Sequence, residues 1–146
     1  MRPAAPTRAG FAVYRPIATR WRDNDIYGHI NNVEFYAFFD TVVNGHLIDA
    51  GLLDIAHGTL VGYVVETKCS YFAQLAFPDR LEGGLRVDRI GTSSVQYGVG
   101  IFRESDDQAA AAGHFIHVYV DRKTQRPTPL PQNWRSGLEA LVIGAR

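Results

Sequence analysis

The stretch Trp21-Arg22-Asp23-Asn24-Asp25-Ile26-Tyr27-Gly28-His29-Ile30-Asn31-Asn32-Val33-Glu34-Phe35-Tyr36 is where the hydrophobic period of the chain changes. Upstream, from about Phe11 to Arg22, the β-formers Val13, Tyr14, Ile17 and Trp21 alternate with polar or basic neighbours, as in a strand with two unlike faces. Downstream, from Asn32 to Ala50, Phe35, Phe38, Phe39, Val42, Val43, Leu47 and Ile48 recur at three- and four-residue spacing, the period of a helix. At ~1.5 Å per residue that helix is roughly 28 Å long, enough to lie across a small sheet. Its start is marked three times. Asn31 is a good N-cap, Glu34 stands where a capping box needs it, and Ile30 and Phe35 occupy the two places of a hydrophobic staple.

Beyond the helix, an irregular piece at Asp54 to Gly58 precedes four strand-like segments: Leu60 to Leu75 with a bend, Leu81 to Ile90, Ser93 to Arg103, and Gly113 to Asp121. The links between them, such as Pro78-Asp79 and Gly91-Thr92, are short and favour antiparallel neighbours. Pro127 to Pro131 breaks regular structure, and Gln132 to Ile143 reads as a last short helix. The sum is α+β: one long helix wrapped by a curved antiparallel sheet.

The 146 residues and 46% apolar content suit one domain over residues 11–146, behind a flexible Pro/Ala-rich lead-in at 1–10 that lacks the apolar core of a secretion signal. Fifteen basic and fifteen acidic side chains cancel, so no global field draws the chain to nucleic acid or an anionic membrane. A single Cys excludes an intramolecular disulfide framework and a multi-Cys metal cluster. No apolar run approaches the ~20 residues that cross a bilayer. A cytoplasmic location is the default expectation.

The helix start carries chemistry. If the Asn31 side chain serves the N–H of Val33 or Glu34, the N–H of Asn32 is left free at the positive end of the helix dipole, where it can bind an oxyanion. Asp25, on the loop feeding the helix, can bring a carboxylate to the same spot. A base beside an electrophile-stabilising donor is what hydrolysis of an ester-like carbonyl needs, without a Ser or Cys nucleophile. Gly28 lets the loop turn tightly and leaves room for a substrate. The competing reading of Asp25 is an Asx turn. His29 either anchors the loop by bonding backbone or orients Asp25 or the substrate. Asp23 reads as solvated or paired with Arg22.

The quoted stretch, together with the order of elements and the ending Val120-Asp121-Arg122 with Pro129-Leu130-Pro131 before the final helix, resembles the hot-dog-fold acyl-CoA thioesterases of the 4-hydroxybenzoyl-CoA thioesterase type. The resemblance implies a hot-dog fold of five to six strands, sheets joined edge to edge in a homodimer or homotetramer, and an active site at the subunit interface. It assigns Asp25 as nucleophile or base toward water, and the Asn32 N–H as donor to the thioester carbonyl. The substrate is then a small-molecule acyl-CoA, aryl or fatty, with coenzyme A part of the substrate and no separate cofactor. Plant acyl-carrier-protein thioesterases carry a similar stretch, but Tyr27 here replaces their Asn, so an Asp/Asn/His mechanism does not transfer whole. Gly91, Thr92 and Ser93 stand where some 4-hydroxybenzoyl-CoA enzymes have a basic cluster.

Substrate-contacting candidates are Tyr27, Gly28 and Tyr36 near the helix start, Glu66 in an apolar strand, and Arg89, Ser93 and Ser94 for the coenzyme A edge. Glu66 has a structural alternative, pairing with a basic neighbour. His114 and His117 spell H-x-x-H, but three residues on a strand point to opposite faces, so no metal is expected. Cys69 reads as a small buried hydrophobe. Two other activities fit the same residues: a hot-dog hydratase or dehydratase, and a non-catalytic acyl-CoA-binding module.

Overall fold

The computed structural model describes residues 4–144. Strand β1 (Val13–Ala18) leads through a single 3-10 turn at Trp21–Asp23 to helix α1 (Asn32–Asp49), followed by β2 (Leu60–Tyr71), β3 (Arg80–Ile90), β4 (Ser94–Arg103), β5 (Ala111–Asp121) and helix α2 (Gln132–Glu139). The strands form one antiparallel sheet in the order β1-β3-β4-β5-β2, so β1 and β2 are its edges. This is the expected α+β architecture, with five strands and one long helix against them.

Helix α1 forms because its apolar residues meet the concave face of that sheet. Phe35, Phe38, Phe39, Val42, Val43 and Leu47 are buried with Val95, Tyr97, Val99 and Ile101 of β4 and Phe115 of β5 in one cluster. Each such side chain contributes roughly 1.5–3 kcal/mol by leaving water. Gly83 on β3 sits directly under Val42, where a Cβ would collide with that side chain, so its lack of one sets how closely helix and sheet approach. The stripe is narrower than the sequence suggests at its C-terminal end, since Ile48 is 45% exposed. Helix α2 caps the core with Trp134 and Leu138, the Trp134 ring 4.9 Å from that of Tyr119.

Three boundaries differ from expectation, each for a local reason. β1 ends at Ala18 and not at Arg22, because Asp23 captures the Arg20 N–H and side chain and turns the chain into the 3-10 turn. β2 ends at Tyr71, where the N–H groups of Phe72 and Ala73 both turn to the Ala110 carbonyl. α2 stops before Leu141, whose carbonyl is taken by the Val87 N–H beside the irregularity in β3. The bend foreseen in the Leu60 segment is a register shift between Val64 and Glu66.

The described part of the lead-in, from residue 4, makes contacts with the rest of the fold. Thr7 pairs with Gln108, and the Arg8 guanidinium bonds Glu82 at 2.8 Å and the Asp106 carbonyl at 2.7 Å while lying over the Tyr14 and Phe102 rings. Phe11 is buried with Phe102, Ala109 and Ala112 on the sheet's outer face. Residues 1–3 lie outside the described residues.

His117 is 3% exposed among aromatic rings, its Nδ1 3.3 Å from the Tyr119 hydroxyl, which in turn bonds the Tyr97 hydroxyl at 2.7 Å. Burial pushes its pKa down from 6.5 to about 4. The folded protein therefore holds this ring neutral while the unfolded chain protonates it, so the stability it confers is whole above pH 6.5 and is lost as pH falls toward 4. Urea unfolding across that window is expected to show a loss of up to about 3 kcal/mol from this group, flattened in His117→Asn. An equally steep profile in the variant assigns the acid sensitivity elsewhere.

Candidate active site

The loop between β1 and α1 is held by a buried charge. Asp23 is 0% exposed, and its carboxylate accepts from the Arg20 backbone N–H at 2.7 Å and from the guanidinium at 2.8 and 3.0 Å. It is neither solvated nor paired with Arg22, as the sequence suggested; Arg20 is the partner because the 3-10 turn folds it back. The Asp23 carbonyl receives the Asn31 N–H at 2.8 Å. Across the loop, Ile30 N–H donates to the Leu75 carbonyl, and the Asn24 side chain accepts from Phe77 N–H, so the loop is stitched to the segment after β2.

These restraints set the helix start. The Asn31 side chain accepts from Val33 N–H at 3.2 Å and its carbonyl from Glu34 N–H at 2.9 Å. Asn31 is thus the cap, but the reciprocal half of the capping box is absent: Glu34 bonds Arg20 at 3.0 Å, and Asp23 serves the Asn31 N–H instead. The Asn32 N–H has no acceptor among the described residues. It is exposed at the positive end of an 18-residue helix.

Asp25 is half-buried just upstream. One carboxylate oxygen accepts from Tyr27 N–H at 2.9 Å, and its backbone N–H and carbonyl bond His29 and Gly28, with Gly28 at φ 83° closing the turn. The Asx turn is therefore formed: Oδ1 is held by the backbone, which fixes the direction of the whole carboxylate. The His29 imidazole is half-buried and has no hydrogen-bond partner among the described residues.

Asp25, Tyr27, His29 and Asn32 line one cleft of about 450 Å³, walled by Ile30 and Phe35 on one side and by Tyr71, Phe72, Ala73, Gln74 and Leu75 on the other. That second wall was not singled out from the sequence. Its residues are remote along the chain and carry no motif; only the bonding of Ile30 to Leu75 brings them here. Tyr71 donates its hydroxyl to the Asn32 carbonyl at 3.2 Å and sets its ring edge-on to Phe35.

The remaining sequence candidates stand outside the cleft. Tyr36 is one helical turn further on, its ring against Phe39. The Glu66 carboxylate is 2.6 Å from His114 Nε2, the structural alternative offered for it. Arg89, Ser93 and Ser94 cluster around the β3–β4 turn, at the far end of the sheet. His114 and His117 face opposite sides, one at the surface with Glu66 and the other in the core. Among the described residues no three His, Cys, Asp or Glu side chains group as a metal site would. Cys69 is partly buried, and burial raises its thiol pKa to about 11, which leaves it poorly nucleophilic.

The profile of the thioesterase-like superfamily matches residues 19–138, which span the loop, α1, strands β2 to β5 and all but the last residue of α2. The chain belongs to this superfamily. Its fold is that of the hot-dog thioesterases. The crystal structure of the PA5185 protein of Pseudomonas aeruginosa PAO1 is 53% identical over 97% of this chain and 99% of that one, with a TM-score of 0.93. A Thermus thermophilus thioesterase complexed with coenzyme A and Zn is 26% identical over 90% of this chain and 95% of its own, TM-score 0.74. A 1,4-dihydroxy-2-naphthoyl-CoA thioesterase from Synechocystis shares the fold, at 20% identity over 86% of this chain and 93% of its own, TM-score 0.77. No curated protein matches the chain in sequence. Family and neighbours together put the chain among the thioester hydrolases. No helix among the described residues is long and apolar enough to cross a membrane.

If Asp23 is what orders the catalytic loop, Asp23→Ala is expected to lower the thermal midpoint by roughly 5 °C or more and to speed exchange of the Asn31 amide by at least ~10-fold. Unchanged Asn31 protection in a folded variant would show that the loop is ordered by other contacts.

Proposed function

We propose that this protein hydrolyses acyl-CoA thioesters to a carboxylate and free coenzyme A. The observation that carries the reading is the meeting, in one cleft, of the Asp25 carboxylate and a helix-terminal N–H that nothing else in the described chain uses. The coenzyme A bound by the Thermus thioesterase supports the substrate class.

In the proposed reaction the thioester oxygen accepts the Asn32 N–H, which stabilises the charge that grows there as the carbonyl carbon becomes tetrahedral. Asp25 acts in one of two ways. As a base it takes a proton from water, the hydroxide adds to the carbon, the C–S bond breaks, and the proton passes to the departing sulfur. As a nucleophile it adds directly, expels the thiolate, and leaves an anhydride that water opens. His29 lines the same cleft, with an imidazole that has no partner among the described residues, and orients the substrate. No cofactor takes part, coenzyme A being a portion of the substrate, and no metal is required. Tyr27, Gly28 and Tyr36 border the acyl entry.

The site is completed by a second copy of the chain. β2 is an edge strand whose residues Tyr63, Val64 and Val65 are 45%, 48% and 59% exposed, and such an unpaired apolar edge seeks another strand. Along the sheet, Ser94 is level with Val118 and hence with Tyr63, whereas the cleft lies at the Tyr71 end of β2. Antiparallel pairing of two β2 strands brings the Tyr71 end of one copy to the Tyr63 end of the other. Arg89, Ser93 and Ser94, remote from their own cleft, then border the neighbour's and serve its coenzyme A. The dimer is the minimal unit, and a tetramer adds no further residue to this argument.

Asp25→Asn is expected to lower turnover at least ~100-fold on a panel of aryl, short-chain and long-chain acyl-CoAs followed by free-thiol release, with acyl-CoA affinity largely kept. Near-normal turnover would remove Asp25 from the mechanism. Tight acyl-CoA binding without turnover by the unaltered protein would favour a binding module instead.

A further inference from the structure

Each polar group of the backbone around Asn32 has a partner, with one exception. On its N-terminal side, the carbonyl of the 31–32 peptide accepts from Glu34 N–H. On its C-terminal side, the N–H of the 32–33 peptide donates to the Asn31 side chain and its carbonyl accepts from the Tyr71 hydroxyl at 3.2 Å. Only the Asn32 N–H is left over. A free donor is useful in catalysis when its direction is already set, because no reorganisation is then needed as charge develops.

Two of these contacts are local and would arise wherever an Asn caps a helix. The Tyr71 contact is different: it spans 39 residues and joins the helix start to the opposite wall of the cleft. Its geometry is over-determined. The ring stands edge-on to Phe35 at 5.2 Å and 86°, and the Tyr71 backbone is paired with Ala111 at the end of β2. Burial raises the phenol pKa, so the hydroxyl keeps its proton and stays a donor. Tyr27 and Tyr36, the phenols read from the sequence, make no such contact; Tyr27 is 80% exposed.

We infer that Tyr71 is a positioning residue for the reaction, its hydroxyl holding the Asn32 backbone so that the free N–H points into the cleft. The inference rests on the thioesterase reading for its kinetic consequence and on geometry alone for its structural one. Two measurements on Tyr71→Phe separate them, since Phe keeps the ring against Phe35 and loses only the donor. In thiol-release assays on the acyl-CoA that the unaltered protein turns over best, kcat is expected to fall about tenfold with KM within about twofold and the thermal midpoint little changed. By amide exchange, the Val33 N–H, which belongs to the same peptide as the carbonyl that Tyr71 holds and is bonded to the Asn31 side chain, is expected to lose at least about fivefold in protection, whether or not any substrate is known. Unchanged kcat in a folded Tyr71→Phe protein, with Asp25→Asn inactive, overturns the inference and spares the thioesterase reading. Unchanged protection at Val33 overturns it irrespective of activity. Absence of turnover in the unaltered protein, with protection lost as expected, sinks the thioesterase reading and leaves the positioning geometry in place.

Discussion

A helix cannot satisfy its own first N–H groups, and much of the organisation around the cleft answers that constraint. Asn31 takes the Val33 and Glu34 amides through its side chain and carbonyl, while Asp23 offers its carbonyl to the Asn31 amide. To stand there, Asp23 must be buried, and Arg20 neutralises it through three hydrogen bonds. The 3-10 turn, the early end of β1 and the diversion of Glu34 to Arg20 all follow from that arrangement. What remains is one amide with no internal use, beside a carboxylate whose direction is set by its own Asx turn. On the proposed reading, a restraint of folding and a requirement of catalysis are met by the same atoms.

The sheet supplies the second requirement, a rigid wall. Gly83 lets α1 settle against β3, and Phe35 is buried at the point where the helix begins, so the helix start cannot drift relative to Tyr71. The wall from Phe72 to Leu75 is irregular backbone, yet the Phe72 and Ala73 amides are bonded to the Ala110 carbonyl, the Gln74 carbonyl to Arg103 and the Leu75 carbonyl to the Ile30 amide. Rigid elements on both sides are what a site needs when the chemistry depends on tenths of an ångström.

Period and capping made most of this legible in the sequence. The helix from Asn32 was readable to within a residue at its far end, because aromatic and β-branched residues fall on a 3.6 period and Asn31 announces the start. Asp25, His29 and Asn32 were legible because they are neighbours in the chain and the loop is short. Tyr71 and the wall after it were not, since nothing local marks a contact made across 39 residues. Asp23 was misread for a related reason: burial of a charge depends on a partner, and Arg22 is nearer in sequence than Arg20 but is exposed, while Arg20 makes the bonds. Glu66 and the β3–β4 turn stand outside the cleft of their own chain, and only the register shows how far along the sheet they sit.

The central claim is that the Asn32 N–H is the donor to the reacting carbonyl. It is tested most directly by following backbone amides by 15N-resolved NMR while a non-hydrolysable acyl-CoA analogue, with a ketone or amide carbonyl in place of the thioester, is titrated in. The account predicts that the Asn32 amide proton moves downfield by more than any other amide and becomes protected from exchange. An Asn32 resonance that stays still while amides elsewhere in the cleft shift at saturation would contradict it.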